Sequence, residues 1–155
     1  MNGVLGTKSV AQVGIIVKDI ETTKKKWAEF LGVEVPPTYT GGEYAITQME
    51  YKGNPAPDAA CFLAFFDVNE GFQIELIQPN EEPSTWREFL DTKGEGLHHI
   101  AFQIQGMKKM IMACEDFGMK LEQKGEYGDA SGRYAYLSGE DNLKTLIELL
   151  ESGKA

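Results

Sequence analysis

VAQVGIIVKDIETTKKKWAEFLGVEV, residues 10–35, and LHHIAFQIQGMKKMIMACEDFGMKLE, residues 97–122, present the same order of elements twice in one chain. Each stretch begins as an apolar strand, turns, continues with apolar residues at helical spacing, and reaches a glycine before a second apolar segment. Gly32 and Gly118 stand where a helix C-terminal cap is expected. The chain is therefore predicted to contain an internal duplication.

A second repeated pattern closes each copy. GFQIELIQP (71–79) and KTLIELLES (144–152) share an Ile-Glu-Leu core. Because side chains alternate along a strand, Glu75 and Glu148 are predicted to share one face, and the flanking isoleucines and leucines the other. A carboxylate in the middle of an apolar strand needs a partner or a chemical role.

Two further strands are predicted in each copy, at 44–51 and 59–67 in the first and at 120–125 and 133–138 in the second. The predicted fold is α+β, with two tandem βαβββ modules that form a curved, cupped mixed sheet with helices outside. The first module spans residues 1–80, a linker with a short helix spans 81–96, and the second module spans 97–155. We expect the modules to pair edge to edge, within the chain or across a dimer.

The linker contains the stretch TWREFLD (85–91), which is predicted to form a short helix capped by Ser84. Its apolar residues recur at helical spacing. We expect Trp86, Phe89 and Leu90 to lie on the surface of the domain, where the helix would run across it as a strap.

Composition excludes several classes of function. The chain has 155 residues, of which 42% are apolar, and a net charge of −9. Such acidity argues against nucleic-acid or anionic-membrane partners. Apolar runs are too short to cross a bilayer and no leader is recognised, so a cytoplasmic location is predicted. Cys61 and Cys114 lie in apolar stretches and are expected to be buried.

The repeat also aligns polar residues. The alignment of the two copies, with a longer loop in the first, places Glu148 on Glu75 and His99 on Gln12, which gives two symmetric pairs of polar positions. Adjacent residues of a regular strand face opposite ways, so His98 and His99 are not expected to reach the same site. We therefore expect His99 to face the site and His98 to lie on the far side of the strand.

The duplicated pattern, the GLHHIAF strand (96–102) and the twin Ile-Glu-Leu strands resemble the vicinal oxygen chelate superfamily. That superfamily includes glyoxalase I, methylmalonyl-CoA epimerase, extradiol dioxygenases and bleomycin-binding proteins. The resemblance covers roughly residues 10–151. In these proteins each module supplies one metal ligand from its first strand and one from its last. The resemblance implies that Gln12, Glu75, His99 and Glu148 bind one divalent metal ion.

This ligand set indicates which chemistry to expect. One imidazole, one amide oxygen and two carboxylates suit Ni²⁺, Co²⁺, Mn²⁺, Zn²⁺ or Mg²⁺. A non-haem iron oxygenase needs two histidines and a carboxylate on one face, so a dioxygenase is disfavoured. In the remaining branch of the superfamily the metal binds a carbonyl oxygen while a carboxylate moves a proton on the neighbouring carbon. Glu148 is our first candidate for this base and Glu75 our second.

The chain resembles two enzymes of this branch, and each resemblance is incomplete. One class of glyoxalase I (lactoylglutathione lyase) has the ligand set Gln-Glu-His-Glu, but it carries an arginine where this chain has Ile16. Methylmalonyl-CoA epimerase is similar around GEGLHHIAF, but its second catalytic glutamate maps near Leu63, and its glutamine belongs at the second ligand position. Glu50, on a neighbouring strand, could supply that second base. We therefore expect a metal-dependent isomerase or lyase that acts on an acyl-thioester or 2-oxo substrate.

The Gly-rich segment EYGDASGRYAYL (126–137) lies where related enzymes keep a loop over the substrate. Arg133 and Tyr134 are candidate substrate-binding residues there, and the alternative that the segment is an ordinary surface turn stays open.

A different class of function is a metal-free small-molecule-binding module like the bleomycin-resistance proteins. The chain is also expected to form a homodimer.

Overall fold

The computed structural model describes residues 3–153, which form ten strands and four helices. In chain order they are β1 (Val10–Ile16), α1 (Ile20–Leu31), β2 (Tyr39–Thr40), α2 (Tyr44–Thr47), β3 (Glu50–Tyr51), β4 (Asn54–Pro55), β5 (Cys61–Asn69), β6 (Phe72–Pro79), α3 (Thr85–Lys93), β7 (Gly96–Gln103), α4 (Met107–Asp116), β8 (Leu121–Glu126), β9 (Gly132–Leu137) and β10 (Leu146–Ser152).

All the strands belong to one mixed sheet, in the order β2-β5-β6-β1-β7-β10-β9-β8-β3-β4. Strand β1 pairs parallel to β6, and β7 pairs parallel to β10, so the two copies of the repeat have the same internal arrangement. Strands β1 and β7 pair antiparallel and join the copies edge to edge within one chain. The sheet curls into a half-barrel, which confirms the predicted α+β fold with a cupped sheet. The module boundaries at residues 80 and 97 stay a prediction.

Residues 44–51 differ from the predicted strand of the first copy. They form the single turn α2 and then β3, which pairs with β8 of the second copy. Gln48 ends α2 in the left-handed region at φ 46°. Thr47 and Met49 are both buried. This two-residue spacing imitates strand alternation, although it arises at a helix end that packs against the opposite half of the sheet.

The predicted caps Gly32 and Ser84 are confirmed, whereas the C-cap of α4 is Phe117, one residue before the predicted Gly118. Asp19 accepts a hydrogen bond from the Thr22 amide at 3.1 Å at the start of α1, and Gly32 ends that helix at φ 70°. Ser84 caps α3 by accepting a hydrogen bond from the Arg87 amide at 3.0 Å. No helix within residues 3–153 is long and apolar enough to span a membrane.

Helix α3 packs more deeply than expected. Trp86 is only 7% exposed and belongs to a buried cluster with Ile16, Ile77 and Tyr136, so its predicted surface location is wrong. Its indole Nε1 donates a hydrogen bond to the Tyr136 hydroxyl at 3.0 Å. The linker helix therefore closes one end of the cupped sheet. Both cysteines are buried and unpaired, as expected.

Candidate metal centre

The four predicted ligands come from four strands that are consecutive in the sheet. Glu75 lies on β6, Gln12 on β1, His99 on β7 and Glu148 on β10. All four side chains are buried. Because side chains on the concave side of a curled sheet point towards each other, residues far apart in sequence meet at one point. One chain supplies all four residues.

The polar atoms of these side chains lie close together. His99 Nε2 is 2.7 Å from Glu148 Oε2 and 3.6 Å from Glu75 Oε1. Gln12 Oε1 is 3.2 Å from the same nitrogen. The ligand atoms of Glu75, His99 and Glu148 all lie within 4.8 Å of one another.

These separations fit a divalent ion. Two atoms bound side by side to one ion at about 2.1 Å are about 3 Å apart. The donor set of one imidazole nitrogen, one amide oxygen and two carboxylates also suits a hard or intermediate divalent cation. We conclude that the residues present are compatible with the metal that the family resemblance implies.

The amide of Gln12 has two orientations that make hydrogen bonds with its neighbours. In one orientation Gln12 Nε2 donates to Gln73 Oε1 at 3.3 Å, and Gln73 Nε2 in turn donates to Asp67 Oδ1 at 2.9 Å. Because a carboxylate only accepts, this chain directs the amide oxygen of Gln12 towards Glu75, His99 and Glu148. In the reversed orientation its nitrogen donates to Glu75 at 3.2 Å and to Glu148 at 3.3 Å. The oxygen-inward orientation is the one that suits a cation.

The imidazole of His99 occupies space that only a glycine leaves open. Gly14 pairs with His99 across β1 and β7. A Cβ atom built on Gly14 would overlap the His99 ring. A glycine inside an apolar strand indicates a close approach of this kind, and it is the signal by which the sequence could have singled out Gly14.

His98 does not point away from the site as expected. The pairing of β1 with β7 shifts register between Gly14 and Ile15, and this irregularity leaves His98 outside the regular alternation. His98 Nδ1 is 2.9 Å from His99 Nδ1, and the two rings meet edge to face. One histidine therefore donates to the other, and the contact holds the His99 ring in place.

Burial sets the charge of the three ionisable groups, Glu75, His99 and Glu148. Burial first, and then the negative charge of Glu148, raises the pKa of Glu75 well above its usual value. Burial also raises the pKa of Glu148, while a hydrogen bond with Tyr136 acts in the opposite direction. Burial lowers the pKa of His99 to about 3, so the ring is neutral and its 2.7 Å contact with Glu148 is a hydrogen bond rather than an ion pair. Two adjacent buried carboxylates call for a proton or a cation between them.

The candidate centre forms part of the wall of a cavity of about 930 Å³. Tyr134 lines this cavity, and this location is compatible with its predicted contact with a substrate. Leu63 also lines it, so an apolar side chain stands where the epimerase resemblance would place a second glutamate. Glu50 is absent from the described lining and lies 3.6 Å from Lys124 Nζ.

Arg133 lies outside the described lining of the cavity. Its Nη1 atom is 2.7 Å from Glu151 Oε1, and its Nη2 atom donates to the Gly153 carbonyl oxygen at 2.8 Å. Its Nε atom is 3.3 Å from Glu126 Oε2. These contacts tie the start of β9 to β8 and β10 and occupy the guanidinium.

Comparison with known proteins identifies the family. A model of the glyoxalase/bleomycin resistance protein/dioxygenase superfamily matches residues 11–136. The chain belongs to this superfamily. A curated relative, the uncharacterized protein YqjC of Bacillus subtilis (strain 168), is 33% identical over 90 residues, which are 57% of this chain and 64% of that protein. The matched part thus spans just under two thirds of the relative.

Solved structures agree with the superfamily fold. Methylmalonyl-CoA epimerase from Mycobacterium tuberculosis is similar with a TM-score of 0.64 and 22% identity, over 99% of this chain and 92% of that one. A variant of the Streptomyces coelicolor methylmalonyl-CoA epimerase, in complex with 2-nitronate-propionyl-CoA, is similar with a TM-score of 0.66 and 23% identity, over 93% and 96%. At these identities the likeness concerns the fold.

Proposed function

We propose that this chain is a divalent-metal-dependent enzyme that removes a proton from a carbon atom next to a carbonyl group, an isomerase or lyase of the epimerase or glyoxalase type. The observation that carries the proposal is the meeting of Gln12, Glu75, His99 and Glu148 at the wall of a large cavity. A bound divalent ion would stabilise the negative charge that develops on the carbonyl oxygen when the proton leaves.

In this proposal the protein holds the ion with two neutral and two acidic side chains. His99 offers Nε2, because its Nδ1 faces His98. Gln12 offers its amide oxygen, which the chain of hydrogen bonds through Gln73 directs inward. Glu75 and Glu148 supply the charge that offsets the ion.

Glu148 is the proposed base that accepts the proton, and Glu75 is the alternative. Glu148 is held in place on two sides, by His99 at 2.7 Å and by Tyr136, whose hydroxyl also accepts the hydrogen bond from Trp86. In the metal-free chain, burial raises the pKa of Glu148 above that of an exposed glutamate. Tyr134 is a proposed substrate contact, whereas the ion pairs of Arg133 with Glu126 and Glu151 argue for a structural role. A homodimer stays a prediction.

Solvent deuterium exchange tests the reaction and separates the two candidate bases. The metal-reconstituted protein should bind one equivalent of divalent ion per chain and should exchange the C–H proton next to a substrate carbonyl. Glu148→Gln keeps an oxygen donor but removes the base, so we expect metal to remain while exchange falls by at least about a hundredfold. Glu75→Gln is the matched control and should retain more exchange than Glu148→Gln. Exchange that survives in Glu148→Gln at the wild-type rate would exclude Glu148 as the base.

A metal-free binding module is the second candidate function. It is favoured by the largely apolar and aromatic wall of the cavity, which suits storage of a small molecule as well as catalysis. Absence of stoichiometric metal binding, together with tight binding of an apolar ligand by the metal-free chain, would favour this alternative.

A further inference from the structure

The wall of the cavity carries acidic side chains but, within residues 3–153, no lysine or arginine. The acidic residues are Asp67, Glu75, Glu126, Asp129 and Glu148. Basic side chains on the surrounding strands are engaged elsewhere: Arg133 pairs with Glu126 and Glu151, and Lys124 lies 3.6 Å from Glu50. The described wall of the cavity therefore carries carboxyl groups and no protein cation.

A metal ion does not reverse this balance. Its two positive charges would be offset by Glu75 and Glu148. Glu126 is paired with Arg133, and Asp67 and Asp129, which are both exposed, then remain. A carboxylate or phosphate of a substrate inside the cavity would meet no protein cation among the described residues. Burial of a charge without a partner is costly.

The rest of the wall suits an apolar body. Tyr39, Phe65, Trp86, Tyr127 and Tyr134 all line the cavity. Tyr39 and Phe65 stand with their ring centroids 6.2 Å apart, and Trp86 and Tyr134 with theirs 6.3 Å apart, so aromatic faces are grouped on the wall. A volume of about 930 Å³ is ample for a small organic molecule with a ring.

Building on the proposed function, we infer that the substrate is an uncharged carbonyl compound with an apolar, ring-sized body. Coenzyme A thioesters with a free carboxylate carry a negative charge next to the reacting carbon, and glutathione adducts carry the carboxylates of glutathione. The observed wall offers them no counter-charge, whereas it offers aromatic surface to a neutral compound.

A matched pair of ligands tests this inference. 2-Hydroxyacetophenone is neutral, and its 4-carboxy derivative has the same ring, carbonyl and hydroxyl with a negative charge at the far end. Calorimetric titration of both into the Co²⁺-loaded full chain measures binding directly. We expect the neutral compound to bind at least about tenfold more tightly than the carboxylate, because the added charge would be buried without a partner.

Two charge variants locate the cause of the selectivity. Asp129→Lys places a cation on the cavity wall and should reduce the preference for the neutral compound. Asp116→Lys makes the same charge change at an exposed position at the end of α4, and it should leave the preference unchanged. Equal effects of the two variants would show that net charge, not the cavity, is responsible.

The outcomes keep the inference separate from the proposed function. The inference is overturned if the carboxylate binds the wild-type protein as tightly as the neutral compound, or if the neutral compound does not bind. Deuterium exchange into the CH₂ group of bound 2-hydroxyacetophenone tests proton removal independently. Selective binding without exchange would support the inference and contradict the proposed function, whereas exchange with equal binding of both compounds would do the reverse.

Discussion

The candidate metal centre depends on Gly14, a residue without a side chain. Gly14 leaves the space that the imidazole of His99 fills, and His98 contacts the other side of that ring. The ring is therefore held between a backbone surface and a second imidazole. Ligand rings held in this way lose little freedom when they bind a cation, which favours tight binding.

Replacement of Gly14 by alanine should displace this ring. Because a Cβ atom would overlap the imidazole, we expect Gly14→Ala to lower the affinity for divalent metal by at least about tenfold and to destabilise the fold by about 1–3 kcal/mol. Calorimetric metal titration and thermal unfolding measure the two effects. Gly3→Ala is the control, since a Cβ at Gly3 meets nothing within 4 Å. Wild-type metal affinity in Gly14→Ala would contradict the assigned packing.

Among the secondary-structure elements, the loops after β2 and β8 meet over the cavity. Gly41 and Gly42 follow β2, and Gly128 follows β8; all three line the cavity. A Cβ atom built on Gly128 would lie 2.9 Å from both the Gly41 oxygen and the Gly42 Cα atom. Backbone therefore packs against backbone where the two halves of the sheet approach each other.

A side chain at this contact should force the loops apart. We expect Gly128→Ala to weaken binding of 2-hydroxyacetophenone by about threefold to tenfold, because the cavity wall moves, while metal affinity is retained. Hydrogen exchange should increase in the segment that contains Gly41 and Gly42. Gly3→Ala serves again as control. A Gly128→Ala protein that binds the ligand normally and shows unchanged exchange would mean that the loops adjust without opening.

Helix α3 also supports the candidate metal centre, through Trp86 and Tyr136. Trp86 donates to the Tyr136 hydroxyl, and Tyr136 contacts Glu148, its direct partner in the pairing of β9 with β10. The linker between the two copies of the repeat thus supports the carboxylate that we propose as the base. Trp86, the buried aromatic residue of α3, provides this support.

For the molecule as a whole, the buried carboxylate pair links folding stability to pH and to metal. In the metal-free protein, burial raises the pKa of Glu75 and Glu148 above the unfolded value. At low pH both carboxyl groups are buried in their protonated form. The free energy of unfolding therefore decreases as the pH rises through the raised pKa values and the groups become charged. A bound divalent ion prevents this loss of stability, because its positive charge compensates the negative charges of Glu75 and Glu148.

The stabilisation produced by metal should consequently grow with pH. We expect the rise in Tm caused by saturating divalent metal to be larger at about pH 8 than at about pH 5.5, by at least about 2–4 °C. Burial lowers the pKa of His98 well below its usual value and that of His99 to about 3, which limits their contribution to the comparison. Thermal unfolding with and without metal measures the shift, and Glu148→Gln should flatten its pH dependence. A shift independent of pH would contradict the account of the carboxylate pair.

Local patterns in the sequence determined a large part of this structure. The order of the main strands and helices outside residues 44–51, the caps at Gly32 and Ser84, and the buried face of β6 and β10 follow from periodicity and capping chemistry. The family resemblance, supported by the alignment of the two copies, also identified the four polar residues that the fold brings together. These features are readable because each depends on neighbours a few residues away.

Only the tertiary structure decided the rest, because it depends on contacts between distant segments. The irregular pairing of β1 with β7 turned His98 towards His99, and the second half of the sheet recruited β3. Ion pairs with Glu126 and Glu151 drew Arg133 away from the cavity. The absence of protein cations from the described cavity wall arises in the same way, since the sequence shows which charges exist but not which partners the fold gives them.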